Sequence, residues 1–93
     1  MEKLTDKTII INNKDNVATA RVEISAGTVL TVDDKSITLK DNIPFGHKLA
    51  LKNIPKGEPI IKYGQRIGIA TKDIFPGELV HVHNVSGERG MGK

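Results

Sequence analysis

"ARVEISAGTVL" (residues 20–30), "ALKNIPKGEPI" (50–60) and "ATKDIFPGELV" (70–80) share one pattern: Ala, three residues, Ile, two residues, Gly, two residues, then an aliphatic residue. "NIPFGHKL" (42–49) is a shorter fourth copy carrying Ile43, Gly46 and Leu49. Recurrence of this kind marks a repeated structural unit. In each copy a short apolar strand ends at the Ile, a turn follows, and Gly27, Gly46, Gly57 or Gly77 supplies a backbone conformation that other residues resist. A new strand then leaves beside the turn. Pro44 and Pro55 follow their Ile directly and bias it towards extended geometry.

The segments between the units are rich in β-branched residues: "TIIIN" (8–12), "VLTVDDKSITLK" (29–40), "PIIKYG" (59–64) and "RIGIA" (66–70). Alternation around Asp33, Asp34 and Lys35 reads as a hairpin. No stretch carries a helical apolar stripe free of Pro and Gly. The expected fold is all-β, with short strands, Gly turns and at most single helical turns. The expected domain covers residues 8–85. Residues 1–7 are expected to be loose, and "SGERGMGK" (86–93), with three glycines and no core-facing pattern, is expected as a mobile tail.

Ninety-three residues build one modest core and leave little chain for a deep substrate cleft, which argues against a self-sufficient enzyme. The net charge of +3 comes from interspersed signs without a basic block, and aromatic residues are 3% of the chain, so nucleic-acid binding is not expected. Cysteine is absent, which excludes disulfides and thiolate metal sites. No apolar run reaches the roughly 20 residues of a membrane-spanning helix, and "MEKLTDKTIIINN" lacks the apolar core of a signal peptide. The cytoplasm is the expected location.

Three groups of residues are candidates for chemistry. "ELVHVHN" (78–84) reads as a strand, with His81 and His83 on one face and Val80 and Val82 turned into the core. With His47, these imidazoles offer three nitrogen donors of the type Zn, Fe, Mn or Ni accepts, and Asn84 adds an amide oxygen. The same spacing also suits exposed or interface residues. "GHK" (46–48) places His47 and Lys48 at a turn exit, where they suit an anionic group, although Lys48 also reads as a solvated surface charge. "YGQRIG" (63–68) flanks Arg66 with two glycines; it reads first as a turn and second as a ligand contact, and matches no P-loop or dinucleotide motif. Asp15, Asp33, Asp34, Asp41 and Asp73 all fall in or near turns, where Asp commonly bonds the local backbone.

"DNVATA" (15–20) and "GHKLALKNIPKGEPIIKYGQRIGIATKDIFPGELVHVHN" (46–84) together resemble the N-terminal domain of the altronate and galactarate dehydratases. This domain is also the separate small subunit of some members and of the related sulfolactate sulfo-lyase. It is similar, too, to the β-clip modules of type III antifreeze proteins and of sialic acid synthase, in accord with the repeated units. The resemblance implies a hydro-lyase that removes water from a sugar acid to give a 2-keto-3-deoxy acid. It implies Fe²⁺ or Mn²⁺ in the complete enzyme, and a much larger subunit or domain without which this chain is not active. Carried onto this sequence, it points to His47 and Lys48 as catalytic and to Gly46, Arg66 and Asn84 as substrate-binding. His81 and His83, with His47, would be metal ligands, on a face that docks against the large subunit. Sulfite loss from sulfolactate, or a free-standing carbohydrate-binding module, are the alternatives. Exposed strand edges in so small a β domain point to a hetero-oligomer, and to a homodimer when the chain is isolated.

Overall fold

The computed structural model describes residues 2–3, 8–9, 14–32 and 35–87. Every regular element among them is a strand: β1 Glu2–Lys3, β2 Thr8–Ile9, β3 Val17–Ala20, β4 Val29–Val32, β5 Lys35–Thr38, β6 Lys48–Ala50, β7 Pro59–Lys62, β8 Gln65–Ala70, β9 Leu79–Val80 and β10 Val85–Gly87. They form three small sheets, ordered β1-β4-β5, β2-β3-β6-β9 and β10-β8-β7. Only β1 with β4 is parallel; the other pairs are antiparallel. The all-β expectation holds, and no helix among the described residues is long and apolar enough to cross a membrane.

The repeated phrase is a turn followed by a strand. In each copy the residue after the glycine donates its N–H back three positions: Thr28 to Ser25, His47 to Pro44, Glu58 to Pro55 and Glu78 to Phe75. The glycine before it has φ between 82° and 92°, the third position of a type II turn, where a side chain is strained. The preceding position accepts nearly anything, and here it holds Ala26, Phe45, Lys56 and Pro76.

The four units combine into two alike halves. Ile24 and Ile43 exchange both backbone hydrogen bonds in an isolated antiparallel bridge, and Ile54 and Ile74 do the same. Asn42 Oδ1 accepts the Ala26 N–H, and Asp73 Oδ1 accepts the Lys56 N–H, at corresponding places. Each half has its own apolar cluster. One holds Ala20, Ile24, Leu30, Leu39, Ile43 and Leu49; the other holds Ala50, Ile54, Ile60, Ala70, Ile74 and Val80 in matching positions. Each fully buried Ile or Leu contributes about 1.5–3 kcal/mol, enough together to hold a chain without cysteines.

Three polar residues join distant segments. Asp15 is buried, and its Oδ1 accepts the N–H of Gly64 across the hairpin tip between β7 and β8. Asn16 donates to the Pro59 carbonyl and accepts from the Ile61 N–H, like one more strand residue alongside β7. Asp41 Oδ2 accepts the Leu79 N–H. The aspartates therefore bond remote backbone rather than their own turns, while Asp33 and Asp34 lie outside the described residues. The hairpin tip itself is Tyr63 and Gly64, both with positive φ, as a type I′ turn demands.

Three expectations need correction. Glu2–Lys3 is strand β1 rather than loose chain, and Ser86 and Gly87 belong to β10, opposite Ile69 and Gly68, rather than to a tail. Residues 4–7 and 88–93 of those expected loose ends lie outside the described residues. The third correction is the phrase "ELVHVHN": the strand ends at Val80, and residues 81–84 form a turn in which the Asn84 N–H donates to the His81 carbonyl. Val82 is therefore not in the core; it is 81% exposed at the turn tip. The chain has to reverse there so that β10 can pair antiparallel with β8.

Candidate functional site

The turn at residues 81–84 is held by the side chain of Asn84. Its Oδ1 accepts the His81 N–H at 2.9 Å, its Nδ2 donates to the Leu79 carbonyl at 2.8 Å, and the residue is 2% exposed. Both ends of the amide are consumed by backbone, so the structure places this substrate-binding candidate in a supporting position beneath the histidines.

The pairing of β6 with β9 decides which histidines meet. Lys48 lies opposite Val80, so one step outward His47 faces His81 across the strand ends. Their ring centroids are 4.9 Å apart with planes tilted by 52°. His47 Nδ1 also lies 3.3 Å from the Phe45 carbonyl oxygen. A carbonyl only accepts, so this is a hydrogen bond when Nδ1 carries the proton, and the neutral ring then has Nε2 free to accept. His81 is exposed and His47 half-buried. His83 is exposed on the far limb of the turn. The i, i+2 spacing singled out His81 with His83; the pair that forms is a cross-strand one, His47 with His81.

Lys48 and His81 line an open cavity of about 210 Å³ with apolar walls from Ile60, Ile67, Val80 and Val85. Burial, and then repulsion from Lys62, holds the Lys48 ammonium below the ordinary lysine pKa. No carboxylate among the described residues pairs with it. A half-desolvated cation between apolar walls, beside the His81 imidazole, has the chemistry to hold a small anion. The cavity is smaller than the roughly 300–1,000 Å³ of a complete small-molecule site.

The remaining candidates fall elsewhere. Gly46 serves the turn through its φ of 82°, and its N–H donates to the Ala20 carbonyl. Arg66 is exposed on β8, opposite Ile61 at a bulge, and does not line the cavity. The Fe²⁺ or Mn²⁺ implied by resemblance finds no fit on this chain alone. No group of three His, Cys, Asp or Glu side chains that could hold a metal ion is assembled among the described residues. Two imidazoles are short of the ligand count such ions take.

Comparison with known proteins identifies the family. Residues 6–88 match the altronate/galactarate dehydratase SAF domain. The chain is 46% identical over 76 residues to altronate dehydratase of Escherichia coli (strain K12), covering 82% of this chain and 15% of that protein. Identity, coverage and share are the same for altronate dehydratase of Bacillus subtilis (strain 168). It is 42% identical over 88 residues to (2R)-sulfolactate sulfo-lyase subunit alpha of Chromohalobacter salexigens, covering 87% of this chain and 94% of that subunit. The chain thus spans about 15% of the length of the altronate dehydratases it matches, and nearly all of the sulfo-lyase subunit. The chain belongs to the altronate/galactarate dehydratase SAF domain family.

Proposed function

We propose that this chain is the small module of a sugar-acid dehydratase, of the altronate or galactarate type. It would act with a larger catalytic subunit or domain to remove water and give a 2-keto-3-deoxy acid. The observation that carries the reading is an open cavity lined by Lys48 and His81, with His47 against the His81 ring, in a member of this family.

The elimination takes a proton from the carbon beside a carboxylate and expels a group from the next carbon. Negative charge therefore builds on the carboxylate as the reaction proceeds. Lys48, whose ammonium is half removed from water, is the residue to hold that carboxylate. A neutral imidazole of the His47–His81 pair accepts or returns a proton at Nε2. Apolar walls strip part of the water from the charged group. The ligands of the Fe²⁺ or Mn²⁺ belong, in this reading, to the larger partner.

One observation favours a second reading: the chain corresponds to nearly the whole of a sulfo-lyase alpha subunit. Replacing water by sulfite as leaving group changes the pocket around the β-carbon and leaves the carboxylate and proton chemistry unaltered. The assembled two-part enzyme, offered altronate, galactarate and sulfolactate in parallel, separates the readings. Keto-deoxy acid from either sugar acid supports the first; sulfite released from sulfolactate alone supports the second. Turnover of none, with the larger part bound, would reject both.

A further inference from the structure

Phe45 is 72% exposed although nothing in its turn calls for an aromatic residue. The same position in the other three turns holds Ala26, Lys56 and Pro76. Val82, 81% exposed, tops the turn at residues 81–84 and lines the cavity with His81. Ile67, 39% exposed, closes the cavity wall on the β8 side. Two other exposed rings each have a cation beside them: Lys40 Nζ sits 5.1 Å from the Phe75 centroid and Lys62 Nζ 4.8 Å from that of Tyr63. Phe45 carries no such cation among the described residues. Phe45 and Val82 each adjoin the His47–His81 pair along the chain: His47 Nδ1 lies 3.3 Å from the Phe45 carbonyl oxygen, and Val82 follows His81.

We propose that Phe45, Val82 and Ile67 are the anchors by which this face docks against the larger catalytic part of the enzyme, so that the partner's surface becomes the missing wall of the Lys48 cavity. The inference rests on the reading of the chain as one part of a lyase, and it locates the joint. Exposed apolar residues around polar ones are the anatomy of an interface centre. The cavity is too small and too open to enclose a sugar acid alone, while relatives either continue into a much longer protein or bear a subunit name. Continuity supplies the rest of the argument: Val82 and Ile67 are at once cavity wall and exposed apolar surface. A second copy of this chain on the same face would bury the cavity against an identical one and deny substrate an entry.

Because the sequence contains no cysteine, a single introduced thiol reports one position. Phe45→Cys and Val82→Cys are labelled with a maleimide in the isolated chain and in the enzyme assembled with its larger part; Lys35→Cys on β5 serves as control. Labelling of the first two is expected to slow by about tenfold or more on assembly, with the control unchanged. An assembled enzyme whose Phe45→Cys and Val82→Cys thiols stay open overturns the docking face while leaving the lyase reading intact. Protection that rises with concentration of the isolated chain overturns it in favour of a second copy. Failure of any larger lyase part to bind overturns the reading beneath it as well.

Discussion

Alanine at Gly57 and at Gly77 should cost very different amounts, although both glycines occupy the same turn position with φ near 90°. At Gly57 an added Cβ meets nothing within 4 Å. The cost there is the left-handed backbone, about 1–2 kcal/mol, offset by about 0.4–1 kcal/mol from a stiffer unfolded chain. The net loss is about 1 kcal/mol. At Gly77 the added Cβ would strike the Thr38 carbonyl oxygen and lie 3.1 Å from Leu39 Cα, both backbone atoms that cannot rotate away. The Gly77 carbonyl also accepts the Lys40 N–H, so this turn is laid directly on the strand exit of the other half. Displacing it adds about 1–3 kcal/mol of overpacking, for a total near 3 kcal/mol. Urea denaturation followed by circular dichroism reads both, and thermal midpoints should fall by about 5 °C for Gly57→Ala and about 15 °C for Gly77→Ala. Equal losses, or a larger one at Gly57, would refute the packing of one half's turn on the other's backbone.

Asn84→Ala should destabilise the chain by about 2 kcal/mol, since it strands the Leu79 carbonyl and the His81 N–H; normal stability with lost turnover would instead make Asn84 a substrate ligand. Lys48→Met should stabilise the isolated chain at neutral pH, because it removes a half-buried charge. The lowered pKa means that folded Lys48 sheds its proton first, while the unfolded chain keeps its own until about pH 10.4. The wild-type handicap should therefore shrink as pH rises through that alkaline window, and a gap in urea midpoint that widens with pH would contradict the account. Finally, the isolated chain passed through gel filtration in Mn²⁺ should retain no stoichiometric metal; one tightly held ion per chain would show that its histidines do form a complete site.

Most of the fold was legible because the repeat carries its own physics. A glycine three residues beyond an Ile can be recognised as a turn from sequence, and all four have the positive φ that reading requires. The pairing of the units, Ile24 with Ile43 and Ile54 with Ile74, depends on contacts between segments about twenty residues apart, which no local pattern encodes. "ELVHVHN" shows how local reasoning goes astray. Its alternation is that of a strand, but the Asn84 amide bonds Leu79 and His81 and folds the phrase into a turn. The signal that was present is the register: once Lys48 is set opposite Val80, His47 and His81 must meet. In the same way Asp15 reads as a turn residue, whereas its partner Gly64 lies more than forty positions away, as do Pro59 and Ile61, the partners of the adjacent Asn16.

The kcat/KM of the assembled enzyme for its acid substrate, with Lys48→Met set beside wild type and a Lys35→Met control, tests the central claim most directly. A charge-assisted hydrogen bond of about 1.5–3 kcal/mol to the substrate carboxylate corresponds to a fall of roughly 10- to 150-fold, with assembly intact and the control unaffected. Wild-type kcat/KM in Lys48→Met would contradict it, and would leave the cavity beside His47 and His81 without a part in the reaction.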